Sequence, residues 1–208
     1  MCADRDRSAR LPSGEPVRAF VALNFPGELR QELWDALTPL RSARRRDALP
    51  VKWVRPENIH LSLKFLGDVD ESRESELRTA LGRAAGGRAE PRPLALQITG
   101  FGVFPDYRRP HVLWAGVTPE PALELLQHGV EQAFEPLGFP TEARAFRPHV
   151  TLGRTSRDAR PRDFSGLEQT LARISFDRTV TVSEVDLMQS TLTPNGSVYQ
   201  VKYHERLS

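Results

Sequence analysis

The chain has 208 residues, 39% of them hydrophobic and 27% charged, which suits one globular domain able to bury a core without disulfide or metal staples. Its single cysteine, Cys2, excludes an internal disulfide framework and a cysteine-based zinc cluster, and no apolar run approaches the roughly 18 residues of a membrane span. The formal net charge is only +2, yet the 29 cations are 26 Arg and three Lys (Lys52, Lys64, Lys202), and a guanidinium is the better bidentate partner for phosphate.

Residues 1–16 are polar and lack the apolar stretch of a secretory signal, so a disordered tail and a cytoplasmic address are expected. Val17 to Asn24 reads as a strand. Pro26 then opens a helix with Leu29, Leu33, Leu37 and Leu40 on one face. A basic connector, Arg41 to Asp47 with the run Arg44–Arg46, leads to a short strand at Val51–Val54 and a clear one at His60–Leu66. Helical spacing follows over Asp70–Ala85, stopped by Gly86 and Gly87. Strands are expected at Leu94–Phe104 and His111–Val117, a helix at Pro119–Leu137, and a strand at His149–Gly153. Val180–Leu192 and Val198–Tyr203 read as a hairpin turning at Asn195-Gly196. No low-complexity linker divides the chain, so residues 17–208 are expected to form one α+β domain of two lobes.

One tetrad occurs twice. His60-Leu61-Ser62-Leu63 and His149-Val150-Thr151-Leu152 share the form His-apolar-hydroxyl-apolar. With 25 Ser and Thr residues and five His in the chain, two such tetrads arise in roughly 0.003 of random orderings. Alternation along a strand puts Leu61, Leu63 and Phe65 on the core side, and His60, Ser62 and Lys64 on the other. In the second copy Val150 and Leu152 face the core, while Arg147, His149 and Thr151 share the opposite face. Each strand then offers an imidazole with a hydroxyl about 6–7 Å further along.

Two imidazoles across a cleft suit phosphoryl transfer by general acid–base catalysis. One takes a proton from water while the other donates to the leaving oxygen, and an unperturbed value near 6.5 lets both forms coexist at neutral pH. The hydroxyls can donate to non-bridging oxygens as charge builds on phosphorus. No Asp or Glu lies at ligand spacing from His60 or His149, and no HExxH occurs, so no metal and no cofactor is expected.

These tetrads resemble the paired HxTx signatures of the 2H phosphoesterases. The wider blocks NIHLSLKFLGDV (Asn58 to Val69) and FRPHVTLGR (Phe146 to Arg154) are similar to the bacterial and archaeal RNA 2′,3′-cyclic phosphodiesterases, also called 2′–5′ RNA ligases. RAFVALNFP, FGVFP…RPHVLWAGV and NGSVY add to the likeness, which runs from about Arg18 to Tyr203. The resemblance implies a bilobal 2H phosphoesterase fold with two pseudo-symmetric α+β lobes around a central cleft. It implies hydrolysis of a terminal 2′,3′-cyclic phosphate on RNA to a 2′-phosphomonoester. His60 would be the proton donor and His149 the acceptor, with Ser62 and Thr151 binding phosphoryl oxygens. Ser62 stands where Thr is usual, and His111 where many relatives have Arg.

Arg147, Arg154 and Lys64 are further candidates for substrate binding. Arg147 shares the face of His149. On a regular strand Arg154 would point away from Thr151, so a structural ion pair competes with a substrate contact. Phe101, Phe104, Tyr107, Trp53 and Tyr199 are candidate stacking residues. The expected partner is RNA with a cyclic-phosphate end, or a small cyclic nucleotide. Nucleoside triphosphate binding stays open, and a monomer with no membrane association is expected. The alternative functions are 2′–5′ joining of RNA halves and non-catalytic binding of RNA ends.

Overall fold

The structure, a computed structural model, describes residues 17–42, 48–86, 93–193 and 196–207. The expected N-terminal tail, the Arg44–Arg46 run and Asn195 of the expected turn lie outside the described residues. Nine strands form a single sheet: β1 (Val17–Asn24), β2 (Val51–Trp53), β3 (His60–Val69), β4 (Leu94–Phe104), β5 (Val112–Val117), β6 (His149–Thr155), β7 (Asp177–Val182), β8 (Glu184–Thr193) and β9 (Gly196–Arg206). Their order is β7-β4-β5-β6-β3-β1-β8-β9, with β2 added to β6. All pairs are antiparallel.

This order has two halves that meet in the middle. β6, carrying the second tetrad, is backed by β5, β4 and β7; β3, carrying the first, is backed by β1, β8 and β9. The two tetrad strands are joined through Leu61 opposite Val150, both fully buried. The expected single strand Val180–Leu192 is in fact two. It breaks at Ser183, so that β7 pairs with β4 in one half and β8 with β1 in the other.

The expected helices form where apolar spacing puts them, except that the one opened by Pro26 is interrupted at Leu37, and a short helix at Leu167–Ala172 is additional to those expected. α1 (Gly27–Ala36) buries Leu29 and Leu33, and α2 (Thr38–Arg41) adds Leu40. α3 (Glu74–Ala85) buries Leu77, Ala80, Leu81 and Ala85, and the turn before it, Glu71–Arg73, is 3₁₀. α4 (Pro121–Phe134) buries Leu123, Leu126, Val130 and Phe134, and α5 (Leu167–Ala172) buries Leu167 and Leu171. Side chains such as Leu61, Leu63, Val150, Leu152, Leu81 and Val130 belong to one contiguous core. A small separate cluster, Phe20, Ala22 and Met188 with Tyr199 against it, sits on the other side of the sheet. Among the described residues no helix is long and apolar enough to cross a membrane.

Candidate active site

Because β3 and β6 run antiparallel with Leu61 opposite Val150, continuing the register puts His60 beside Thr151 and Ser62 beside His149. The two imidazoles thus occupy diagonal corners of a four-residue patch, and the two hydroxyls occupy the others. Leu61 and Val150 point into the core, so all four polar side chains share the opposite face. A cleft of about 250 Å³ opens there, lined by His60, Ser62, Thr151, Arg154, Phe65 and Tyr199 among others. His149 is outside its lining and stands on the more open side.

Each imidazole is fixed the same way. His60 Nδ1 lies 2.8 Å from the carbonyl oxygen of Asn58, and His149 Nδ1 lies 2.7 Å from that of Arg147. A carbonyl only accepts, so Nδ1 carries the proton in both and Nε2 is left for chemistry. His60 Nε2 is 3.0 Å from Ser62 Oγ. While His60 is neutral, the Ser62 hydroxyl donates to that nitrogen. Once His60 is protonated, Nε2–H donates instead and frees the hydroxyl proton for a phosphoryl oxygen. Phe20 at 4.9 Å and Tyr199 at 5.3 Å pack their rings against His60, and Phe104 packs edge-on to His149 at 5.1 Å.

This enclosure changes the electrostatics expected from sequence. Burial, with a smaller push from the Arg154 charge, lowers His60 to about 4 against the opposing Asn58 bond. His149 is also lowered, by burial first and by Arg154 in addition. Both imidazoles are therefore neutral in the free protein at pH 7, rather than an even mixture. An anionic phosphodiester between them reverses part of that push, because a nearby negative charge favours the protonated form.

Two expected placements are overturned, and a third alternative is resolved, by the same local feature. In the pairing with β1, the partner of Val21 is Lys64 and that of Ala22 is Ser62, leaving Leu63 unpaired. In the pairing with β5, the partner of Leu113 is Gly153 and that of Trp114 is Thr151, leaving Leu152 unpaired. A bulge at the third residue after each histidine inverts the alternation beyond it. Lys64 therefore turns into the core, 3% exposed, where its ammonium pairs with Glu131 and donates to the Pro140 carbonyl at 2.8 Å. It does not line the cleft. Phe65, expected in the core, is 61% exposed and lines the cleft. Arg154 lies on the side of Thr151 after all, lines the cleft, and has no ion-pair partner among the described residues.

Phe65 and Arg154 both stand five residues after their histidine, so the halves contribute matching positions of opposite chemistry. The Gly at 153 was a sequence signal for the second bulge: a Cβ there would come within 2.6 Å of Val51 Cγ1. Nothing in the first copy marked the bulge at Leu63. Arg147 is exposed and placed by its carbonyl bond to His149. Of the aromatic candidates, Tyr199 lines the cleft and Phe104 touches His149, whereas Phe101 packs on Phe176, and Trp53 and Tyr107 pack against the core. Among the described residues, the grouping of side chains spaced to share a metal ion is Glu184, Asp186 and His204 on β8 and β9, and neither tetrad takes part in it.

Comparison with known proteins identifies the family and agrees with the fold. The family model of the 2′–5′ RNA ligase superfamily matches residues 26–193. A protein of Methanothermobacter thermautotrophicus named RNA 2′,3′-cyclic phosphodiesterase is 35% identical over 185 residues, covering 88% of this chain and 95% of that protein. One of the same name from Thermotoga maritima is 31% identical over 188 residues, covering 90% and 94%. Among solved structures, the protein TT0787 of Thermus thermophilus superposes with a TM-score of 0.73 at 28% identity, over 91% of this chain and 97% of that one. E. coli LigT complexed with 3′-AMP shares the fold, with a TM-score of 0.72 at 24% identity, over 93% and 99%.

Proposed function

The chain belongs to the 2′–5′ RNA ligase superfamily, and on that footing we propose that it hydrolyses the terminal 2′,3′-cyclic phosphate of RNA to a 2′-phosphomonoester. The observation that carries this reading is the diagonal pair of imidazoles, each with Nδ1 tied to a backbone carbonyl and Nε2 left for chemistry, with Ser62 and Thr151 at the other two corners. The relatives' shared name supports the substrate. His149 Nε2, with no protein partner among the described residues, takes a proton from the attacking water as the water oxygen bonds to phosphorus. The bond from phosphorus to O3′ breaks on the far side, and His60 Nε2–H supplies the proton that O3′ needs. Ser62, Thr151 and the Arg154 guanidinium face the phosphoryl oxygens, where charge grows. No step calls for a metal ion, so turnover is expected to persist in excess chelator.

Both tetrads come from one chain, so a monomer suffices, and an RNA substrate fits a cytoplasmic enzyme. A small cyclic nucleotide or a nucleoside triphosphate meets the same hydroxyl and guanidinium donors and is expected to compete with RNA. Joining of RNA halves is the same displacement at phosphorus with a 5′-hydroxyl attacking in place of water, and needs no different residue. The roles are tested with a substrate whose bridging 3′-oxygen is replaced by sulfur, a leaving group that needs no proton. His60→Ala and His149→Ala each lose about 100-fold or more in kcat on the oxygen substrate, and only His60→Ala recovers on the sulfur one. Recovery of His149→Ala instead would exchange the two roles. Retention of activity by both variants would overturn the mechanism.

A further inference from the structure

The face of the sheet beyond His149 carries an aromatic surface that the chemistry above does not use. Trp114 on β5 lies opposite Thr151, and Gly116 lies opposite His149. Leu113, Ala115 and Val117 are buried, so alternation puts Trp114 on the cleft face. Its indole folds across onto β4, over Gly102, its register partner. A Cβ at Gly102 would come within 2.4 Å of two ring carbons, so only glycine lets the ring approach the backbone this closely. The Phe104 ring lies 5.2 Å from that of Trp114 and 5.1 Å from that of His149. Indole, phenyl and imidazole therefore form one continuous wall that ends at a reacting group.

Three facts separate this wall from ordinary packing. Trp114 remains partly exposed. Its Nε1 is enclosed and has no hydrogen-bond partner among the described residues, although an indole N–H taken out of water usually finds an acceptor. The cleft lies on the His60 side and leaves out His149, so the Trp114 side of His149 is surface that the cleft does not include. Beyond Phe104 the connection to β5 presents exposed Arg108 and Arg109, whose backbone N–H groups are held by Asp106 Oδ1 at 2.8 and 3.0 Å. An aromatic surface followed by cations is the arrangement that binds single-stranded nucleic acid.

We propose that Trp114 and Phe104 stack the base of the nucleotide preceding the cyclic-phosphate end, so that RNA ends of two or more nucleotides are preferred over a nucleoside cyclic phosphate. The proposal rests on the hydrolase reading of the same cleft. Every base has a π-face, so the preference is for length and not for sequence.

The test compares kcat/KM for a nucleoside 2′,3′-cyclic phosphate, a dinucleotide with the same end, and that dinucleotide with an abasic first residue. The intact dinucleotide is expected to exceed both others by about tenfold, the size of one base–aromatic stack. Trp114→Leu brings that ratio close to one, and Trp114→Phe keeps most of it. Equal values for the intact and abasic dinucleotides would overturn the proposal. So would a Trp114→Leu enzyme with an unchanged ratio, or one that loses equally on all three, as a purely structural residue does. A second measurement needs neither turnover nor a variant. A 3′-phosphate-ended dinucleotide with 2-aminopurine in its first residue is expected to be quenched on binding the wild-type protein. Bound but unquenched ligand would overturn the proposal. Absence of turnover on every cyclic end would overturn the hydrolase reading while leaving the quench to be read.

Discussion

Each reacting imidazole gives its Nδ1 proton to a carbonyl two residues earlier, so two short strand entries set the same tautomer twice. Sequence spacing located His60, Ser62, His149 and Thr151, because strand alternation is a property of the backbone. It could not show how deeply the imidazoles are enclosed by Phe20, Tyr199 and Phe104, since those contacts come from other strands. The enclosure sets the pH dependence. A mechanism needing one neutral and one protonated imidazole peaks between their two values, and here both lie below 6.5, His60 at about 4. In the free enzyme the protonated partner becomes scarcer as pH rises. The kcat/KM profile is therefore expected to climb as pH falls from 8 towards 5, while kcat, read in the complex with its phosphate anion, peaks at higher pH. Arg154→Gln removes a charge that lowers both imidazoles and is expected to move the kcat/KM optimum upward. An optimum at or above pH 7.5 in kcat/KM would contradict this electrostatic picture.

At the scale of the strand, one unpaired residue decides what the cleft is made of. The bulges at Leu63 and Leu152 turn Lys64 inward and bring Phe65 and Arg154 to the site. Regular alternation therefore read correctly as far as the fourth residue of each motif and wrongly beyond it. The inward Lys64 is tolerated because Glu131 of α4 meets it, the one acid in a helix face otherwise lined by Leu123, Leu126, Val130 and Phe134. Glu131→Gln leaves a buried ammonium without its counter-charge and is expected to lower unfolding stability by about 3–5 kcal/mol. Replacing both partners, Lys64→Met with Glu131→Leu, should restore most of it; urea denaturation of the single and double variants checks this. Phe65→Ala is the converse case. Its ring is largely exposed, so Tm is expected to stay within a few degrees while kcat/KM on RNA ends falls about tenfold. A large loss of Tm with unchanged kinetics would return Phe65 to a structural role.

The whole molecule is two halves of one sheet that meet where the tetrads do. Element types and order, apart from the short helix Leu167–Ala172, were readable from apolar periodicity, and the α+β bilobal architecture from the repeated motif with its family likeness. The split of Val180–Leu192 was not, because a run that changes halves at Ser183 has the same apolar pattern as one that does not. The arginine excess has gained one placed member, Arg154, beside the reacting groups. The central claim is that this meeting point opens a cyclic phosphate at O3′ by two histidines alone. It is tested most directly by incubating an oligonucleotide ending in 2′,3′-cyclic phosphate with the wild-type protein in excess EDTA and resolving the product. A 2′-phosphomonoester with a free 3′-hydroxyl is the predicted result. An intact cyclic end, a 3′-phosphate, or turnover that stops with EDTA and returns with added metal would contradict it.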